Sequence, residues 1–262
     1  MHVLYRFLDA HDERHLVEKE LVRVLIPKKI HYCWFGGNPK PKKVEKCISS
    51  WQEKCPDYEI VEWNETNFDI SLNAYYRWCY QNEKWAYLSD LARLDLVYHH
   101  GGIYLDTDVE LVRSLDPLLD YSAFFCFETA EYVNSGLGFG AEAQNPIVLR
   151  MIEEYSQFEE ADQITPVGCP ILNTQALQKL GLILNGEFQT IGDSVILPKE
   201  YFNPYDDSTG RLLKTSNTYG IHWYFKSALP KSSVCKSMIT RPFHRIFGVN
   251  CFNWLKHMVG KD

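Results

Sequence analysis

Two aspartates, Asp106 and Asp108, stand one residue apart and are the clearest candidates for metal chemistry in this sequence. They follow a short apolar run at 103–105 that is typical of a buried strand. Because side chains alternate along a strand, this position predicts that both carboxylates lie on one side. Carboxylate oxygens at that spacing suit Mg²⁺ or Mn²⁺, ions that also bind phosphate oxygens. A DxD pattern alone is common on solvated surfaces, so the flanking sequence has to support the interpretation.

The segment before these aspartates predicts a buried helix with two embedded charges. Ser89 is a candidate N-cap, and the residues after it are mostly apolar. Asp90 and Arg93 are three residues apart, so they share one helix face. Gly101 and Gly102 then end the helix. The charged pair fits a structural ion pair, or else a site where Arg93 forks onto a phosphate and Asp90 accepts sugar hydroxyls.

Composition and charge bound the class of protein. A chain of 262 residues with 45% hydrophobic residues is long enough for one large globular domain. The net charge of −7 argues against nucleic-acid binding. The eight cysteines form no CxxC pair, which predicts buried free thiols in a reducing compartment. No apolar run approaches the ~18 residues that span a bilayer, so a cytoplasmic location is expected.

Alternating strand and helix patterns predict an α/β fold. A strand at 30–35, a helix at 42–54 and a strand at 58–63 form a βαβ unit, which implies a parallel sheet with a right-handed crossover. Further helices are predicted at 70–83, 85–100 and 146–158, and further strands at 123–127, 195–197 and 219–223. The glycine-rich stretch 134–141 lacks dinucleotide-loop spacing and is interpreted as a sugar-binding loop between strand and helix.

Three segments together resemble glycosyltransferase family 32. They are PKKIHYCWFGG at 27–37, the stretch 50–64, and SDLARLDLVYHHGGIYLDTDVE at 89–110. That family includes bacterial capsular polysaccharide enzymes and fungal mannosyltransferases, and it is similar to the glucosylating domain of large clostridial toxins. The resemblance covers roughly residues 26–120 closely. It implies a GT-A-type nucleotide-sugar-binding fold, a Rossmann-like and mostly parallel sheet flanked by helices.

The resemblance also implies an activity. It indicates a retaining transferase that moves a hexose, galactose or glucose by default, from a UDP-sugar to a glycan or lipid-linked glycan acceptor. The expected setting is capsular, exopolysaccharide or O-antigen synthesis. Asp106, Asp108 and Arg93 are then the catalytic residues, and Mn²⁺ or Mg²⁺ is held by Asp106, Asp108 and His222. The residues expected to contact the donor are Trp34, Asp90, Arg93, Tyr104, Asp106, Lys226 and Ser227.

Two of these assignments have specific weaknesses in the sequence. Trp34 follows a strand at the sheet edge where ligands gather, and it fits either a nucleobase platform or a core residue. A lone histidine such as His222 at a strand end is usually structural, although it matches a late histidine of the family. After it, Ala228 stands where the family usually has Trp, so Lys226 is the expected substitute partner for phosphate.

The ends of the chain lie outside the family pattern. We divide the sequence into an N-terminal helical extension at 1–25, a transferase domain at 26–240 and an amphipathic helix at 241–262. The last segment mixes Arg, His and Lys with large apolar residues. It suits a helix docked on the domain or an interfacial helix in peripheral contact with anionic lipid, at the inner face of the membrane.

Two other functions are compatible with parts of the sequence. Asp106-Thr107-Asp108-Val109 begins like the DxDx(T/V) nucleophile motif of haloacid-dehalogenase phosphatases, but Glu110 occupies the Thr/Val position. That motif also normally follows the first strand of its fold. An inactive sugar-nucleotide-binding module is the third hypothesis, and the intact set of Asp90, Arg93, Asp106 and Asp108 argues against it.

Overall fold

A central β-sheet with helices on both faces organises the protein. The computed structural model describes residues 26–158, 164–225 and 231–252. The strands are β1 (Lys29–Cys33), β2 (Glu59–Trp63), β3 (Gly102–Tyr104), β4 (Val109–Leu111), β5 (Ala123–Cys126), β6 (Phe139–Ala141), β7 (Gln189–Ile191), β8 (Ser194–Leu197), β9 (Tyr205–Asp206), β10 (Arg211–Leu212) and β11 (Gly220–His222). The helices are α1 (Lys42–Lys54), α2 (Ala74–Gln81), α3 (Trp85–His100), α4 (Pro146–Glu153), α5 (Cys169–Lys179) and α6 (Lys231–Phe247).

The main sheet has seven strands within the described residues, in the order β2-β1-β3-β6-β5-β8-β7. Strand β1 pairs in parallel with β2 and β3, and β5 pairs in parallel with β8. Only β6 and β7 run against their neighbours, so five of the seven strands point the same way. The predicted α/β class, with a mostly parallel sheet flanked by helices, is confirmed. Two small antiparallel pairs, β4–β11 and β9–β10, stand outside this sheet.

Alternation along the strands divides the core into two layers. In β5, Phe124 packs on one face of the sheet, where Trp51 of α1 also lies, whereas Phe125 packs on the other. Helices α2 to α5 cover that second face with residues such as Leu94 and Met151. Helix α3 contacts the sheet as well as helices α2, α4 and α5, which explains why it is apolar over most of its circumference.

Several predicted boundaries differ from the structure. Helix α3 begins at Trp85 with Lys84 in the cap position, so the prediction of Ser89 as the N-cap is wrong. Its hydroxyl instead donates to the carbonyl of Ala86 inside the helix. The predicted helix at 70–83 is broken because the Asn73 side chain accepts from Tyr76 N–H and starts α2 anew.

Three further segments also depart from prediction. The predicted helix at 146–158 ends at Glu153, followed by a short 3₁₀ turn at Ser156–Phe158. Part of the predicted loop at 134–141 forms strand β6. The C-terminal helix starts at Lys231 rather than at 241 and ends at Phe247, so the proposed domain boundary at 240 falls inside it. The extension at 1–25 lies outside the described residues, and the division into domains stays a prediction.

Six of the seven cysteines whose side chains are described are buried, and none of the seven forms a disulfide, as predicted. Within the described part of the chain, no helix combines the length and apolarity needed to cross a bilayer.

A buried histidine connects β1 to its neighbours. The His31 Nε2–H donates to the carbonyl of Gly101 at 2.9 Å, and Nδ1 accepts from the Trp63 indole at 3.0 Å. Both ring nitrogens are therefore satisfied in the neutral form. Burial lowers the pKa of His31 from 6.5 to about 4, even though the Gly101 carbonyl favours the protonated ring.

The pH dependence of stability tests this arrangement. An unfolded histidine takes up a proton near pH 6.5, whereas folded His31 stays neutral to about pH 4. Between these two pH values unfolding therefore takes up a proton. As the pH is lowered from 6.5 to 4, the free energy of unfolding should fall, by at most about 3 kcal/mol from His31. His31→Gln keeps one donor and one acceptor without titrating. In urea titrations the variant should lose less stability than the wild type over this range; parallel profiles would contradict the assignment.

Candidate metal and donor site

A tight turn between β3 and β4 carries the two central aspartates. The carbonyl of Asp106 accepts from Val109 N–H at 3.0 Å, which closes a turn of four residues. The prediction that strand alternation aligns the carboxylates is wrong, because β3 ends at Tyr104 and neither aspartate lies in a strand. The turn nevertheless brings them together. One ligand atom each from Asp106, Asp108 and His222 lie within 4.8 Å of one another.

Strand pairing supplies the third member of this group. In the β4–β11 ladder His222 stands opposite Val109, directly after the turn. Its Nε2 lies 3.1 Å from the Asp108 carboxylate. Backbone N–H groups of Trp223 and Phe225 donate to the carbonyl and carboxylate of Asp108, each at 2.9 Å. The 114 residues between Asp108 and Trp223 are thus bridged by contacts that the sequence does not reveal.

The electrostatics of this cluster favour a cation. Burial raises the pKa of Asp106 to about 6, helped by the charge of Asp108 and opposed by Arg93. Burial acts the same way on Asp108, but His222 and the Phe225 N–H outweigh it and hold that pKa below its usual value. The pKa of His222 is raised because Asp108 outweighs the effect of burial. The negative charge of Asp106 is therefore the one that the protein alone compensates least.

A divalent metal ion fits these donors. The buried Nδ1 of His222 has no hydrogen-bond partner among the described residues. Asp90, Asp106 and Asp108 carry three formal negative charges against the single positive charge of Arg93. Two carboxylates and an imidazole are ordinary ligands for Mn²⁺. Asp106, Asp108 and His222 are thus the residues that would hold the ion.

Arg93 joins helix α3 to the turn. Its guanidinium lies 3.0 Å from both Asp90 and Asp106, and its Nε donates to the carbonyl of Ser89. The Tyr104 ring lies under the guanidinium at 4.9 Å, and its hydroxyl donates to Asp106 at 3.1 Å. Only 4% of the Arg93 side chain is exposed. These contacts make Arg93 and Tyr104 supports of Asp106, and direct contact with a donor stays a prediction.

Two further segments close around this network: the stretch 134–141, which the sequence predicted as a sugar-binding loop, and the start of α5, which it did not predict as part of the site. The Cys169 N–H donates to Asp90 at 3.3 Å, and its thiol donates to Asn134 at 3.2 Å. A Cβ added at Gly136 would stand 2.4 Å from the Asp106 carboxylate and 2.7 Å from Arg93. The glycine-rich stretch that holds Asn134 and Gly136 was a signal for this approach, whereas nothing in the sequence pointed to Cys169.

Tyr224 is a further residue of the site that the sequence did not predict. Its ring packs edge-on against His222 at 4.1 Å, and its hydroxyl donates to Glu128 at 2.9 Å and accepts from Asn203 at 2.8 Å. Its backbone has φ of 50°, a left-handed conformation that costs energy in a tyrosine. The surrounding contacts hold the His222 ring between Tyr224 and Asp108.

Trp34 lies just beyond the carboxyl end of β1, half-buried against the core face that contains Trp51. Its indole N–H donates to the Asn38 carbonyl at 2.6 Å, and the Lys40 ammonium lies 5.6 Å from the ring centre. This placement at the sheet edge leaves both of its interpretations open. Lys226 and Ser227 lie outside the described residues, so their predicted contacts stay predictions.

The sequence of this region matches a known family. Residues 41–125 match the family model described as "Glycosyltransferase sugar-binding region containing DXD motif". The matched segment covers about a third of the chain and includes Asp90, Arg93, Asp106 and Asp108. The predicted resemblance is thereby confirmed for this segment, while the relation to capsular enzymes and toxins stays a prediction.

Similar proteins match about half of the chain. Inositol phosphoceramide mannosyltransferase 3 of Schizosaccharomyces pombe is 31% identical over 137 residues, which is 51% of this chain and 38% of that protein. Inositol phosphoceramide mannosyltransferase 1 of the same yeast is 27% identical over 144 residues, 51% of this chain and 44% of that protein. The chain thus spans less than half the length of these curated relatives. Among solved structures, the PaToxG glycosyltransferase is 21% identical, with a TM-score of 0.48 over 59% of this chain and 70% of that one.

The two aspartates should respond oppositely to neutralisation. Without metal, Asp106→Asn should keep or raise the melting temperature at pH 7, since a carboxylate with a raised pKa is destabilised by its surroundings. Asp108→Asn should lower it, because its charged form is the stabilised one. Both variants should lose at least about tenfold in Mn²⁺ affinity, as one ligand is lost. Calorimetric Mn²⁺ titration and thermal melts measure these effects. Wild-type Mn²⁺ affinity in both variants would contradict the assignment of Asp106 and Asp108 as metal ligands.

Trp34 is tested by two substitutions. Trp34→Ala should weaken nucleotide binding by about 1–3 kcal/mol if a base stacks on the ring. Trp34→Phe keeps a stacking surface but loses the hydrogen bond to Asn38, so it should bind nearly as tightly as the wild type. Titration with UDP in the presence of Mn²⁺ measures both. A large fall in melting temperature with unchanged UDP affinity would identify Trp34 as a core residue.

Proposed function

We propose that this protein is a metal-dependent glycosyltransferase that uses a nucleotide-sugar donor. The observation that carries the proposal is the convergence of Asp106, Asp108 and His222 within 4.8 Å, with both aspartates in the segment that matches the sugar-binding region. This arrangement offers a divalent cation a place next to a rigid ion-pair network. The proposal extends to the whole chain what the match supports for one segment.

The residues contribute to transfer in distinct ways. A divalent ion held by Asp106, Asp108 and His222 would supply positive charge that stabilises the diphosphate leaving group. Arg93 and Tyr104 fix the Asp106 carboxylate, and Asp108 is fixed by His222 and the Phe225 N–H. The ligands are therefore held in place before the donor arrives, which lowers the cost of binding it. No described residue presents itself as a covalent nucleophile. We therefore propose that the acceptor attacks the sugar from the same face that the leaving group leaves, which retains the anomeric configuration.

The donor sugar is a hexose in this proposal. Galactose or glucose from a UDP-sugar is the expectation from the family, whereas the names of the two yeast relatives specify mannosyl transfer. The same names specify inositol phosphoceramide as acceptor, which favours a lipid acceptor here over a capsular or O-antigen glycan. Both a UDP-hexose and GDP-mannose therefore belong in the test.

Phosphatase activity is the alternative that the turn itself allows. In that mechanism Asp106 would attack phosphorus, but its Oδ1 atom is already held by Arg93 at 3.0 Å and Tyr104 at 3.1 Å. A carboxylate with one oxygen engaged twice is better placed as a metal ligand than as a free nucleophile. An inactive binding module would keep metal-dependent nucleotide binding and lack turnover.

Donor hydrolysis separates these possibilities without knowledge of the acceptor. Slow release of free sugar and nucleoside diphosphate from UDP-glucose, UDP-galactose or GDP-mannose, measured with Mn²⁺ and with EDTA, should be metal-dependent. Asp108→Asn should reduce the rate by at least about a hundredfold, the scale of losing one charge-stabilising contact. Glu131→Gln, an exposed carboxylate on a loop, is the matched control and should retain the rate. Release of inorganic phosphate from a phosphate monoester, or wild-type rates in EDTA, would contradict the proposal.

A further inference from the structure

Helix α6 rests on the β9–β10 hairpin through its polar side. The Arg241 guanidinium pairs with the Asp207 carboxylate, and its Nε donates to the Asp207 carbonyl at 2.9 Å. The Arg211 guanidinium of the hairpin donates to the Arg245 carbonyl at 2.8 Å. His244 Nδ1 lies 3.3 Å from the carbonyl of Ser208. Charged and polar groups therefore attach this helix to the rest of the protein.

Its apolar side faces away from the rest of the described structure, apart from the Phe243 ring, which packs edge-on against Phe252. Exposed fractions reach 63% at Met238, 68% at Ile239, 73% at Ile246 and 69% at Phe247. At 3.6 residues per turn, one half of the circumference of the last three turns, residues 237–247, holds only apolar residues, namely Met238, Ile239, Pro242, Phe243, Ile246 and Phe247. The other half holds Ser237, Thr240, Arg241, His244 and Arg245. A surface helix ordinarily buries its apolar half against the core, so the orientation of α6 is inverted.

This inversion marks an interaction surface. Apolar side chains exposed singly are normal, but a contiguous face of six is not, because it costs hydrophobic free energy unless something covers it. The polar contacts of Arg241 with Asp207 show that the orientation is specified by the fold. The face therefore needs an occupant that accepts large apolar side chains.

Charge identifies that occupant. Residues 208–261 contain nine Lys and Arg and no Asp or Glu, whereas residues 1–207 carry 33 acidic residues against 18 Lys and Arg. The cations are Arg211, Lys214, Lys226, Lys231, Lys236, Arg241, Arg245, Lys256 and Lys261. A second copy of the chain would bring two such cationic segments face to face, which is unfavourable. An anionic surface with an apolar interior complements both the charge and the exposed face.

We propose that α6 docks this protein onto bilayers that contain anionic lipid. Its apolar half enters the boundary between headgroups and acyl chains, and the cations of the C-terminal segment contact the headgroups. The helix lies near the candidate metal site, since Arg241 faces the Tyr205 ring and that ring lies 5.2 Å from the ring of Trp223, the residue after His222. Docking would hold the site close to the bilayer surface. Delivery of a lipid acceptor rests on the proposed function, whereas membrane binding itself does not.

Vesicle co-sedimentation of the full chain tests the proposal without any substrate. The protein should sediment with vesicles of phosphatidylcholine and phosphatidylserine, less with phosphatidylcholine alone, and less at high salt. The double variant Ile239→Glu/Ile246→Glu should reduce the vesicle affinity at least about tenfold, because two apolar anchors are lost and two negative charges are added. Since both side chains are exposed, its melting temperature should equal that of the wild type.

A matched control separates the face from its charge. Ile183 and Leu72 are each 64% exposed outside α6, so Leu72→Glu/Ile183→Glu adds the same charge elsewhere and should retain vesicle binding. Equal loss in both double variants, or no binding of the wild type, would overturn the proposal. Conversion of a lipid-free dimer to a monomer by the α6 variant, seen by light scattering, would also overturn it by assigning the face to a second copy. None of these outcomes depends on donor hydrolysis.

Discussion

The guanidinium of Arg93 carries the charge on which the candidate site depends. It is almost fully buried, so its desolvation must be compensated by neighbours, and Asp90 and Asp106 each lie 3.0 Å away. Leaving such a buried charge without any partner costs about 3–5 kcal/mol, so at least one of the two carboxylates has to stay beside the guanidinium. The helix that carries Arg93 and the turn that carries Asp106 are therefore held in one arrangement. A metal ligand is useful only if its position is fixed in this way.

Close approach of the backbone makes this arrangement possible. Gly101 ends α3 with a φ of 61°, and a Cβ there would stand 2.9 Å from the Ala143 N. At Gly102, with a φ of 106°, a Cβ would meet the Lys29 carbonyl at 2.8 Å. Gly136 allows its loop to press against Asp106 and Arg93. The three glycines let a helix, a central strand and a loop meet with no side chain between them.

The protein is electrostatically divided, and the division follows its architecture. The acidic part of the chain contains the sheet and the two aspartates of the turn, where negative charge attracts a metal ion. Residues 208–261 are cationic and include α6. This helix attaches to the β9–β10 hairpin by its polar side and exposes its apolar side. His222 joins these parts, since β11 pairs with β4 and leads into the segment before α6. A chain with net charge −7 thus concentrates its positive charge after residue 207, away in sequence from Asp106 and Asp108.

Residue types and their spacing were enough to predict the α/β class, the helices α1 and α3 and the Asp106–Asp108 pair as candidate metal ligands. These are local features: periodicity, glycine positions and a short motif are read within twenty residues of the chain. The way in which the carboxylates meet follows from the tertiary structure, because a turn rather than strand alternation places them. The tertiary structure also decided that Arg93 supports Asp106, that Cys169 and Tyr224 enclose the site, and that the apolar half of α6 faces outward. Each of these depends on pairing between residues far apart in the chain, such as His222 with Val109, and sequence periodicity carries no information about such pairing.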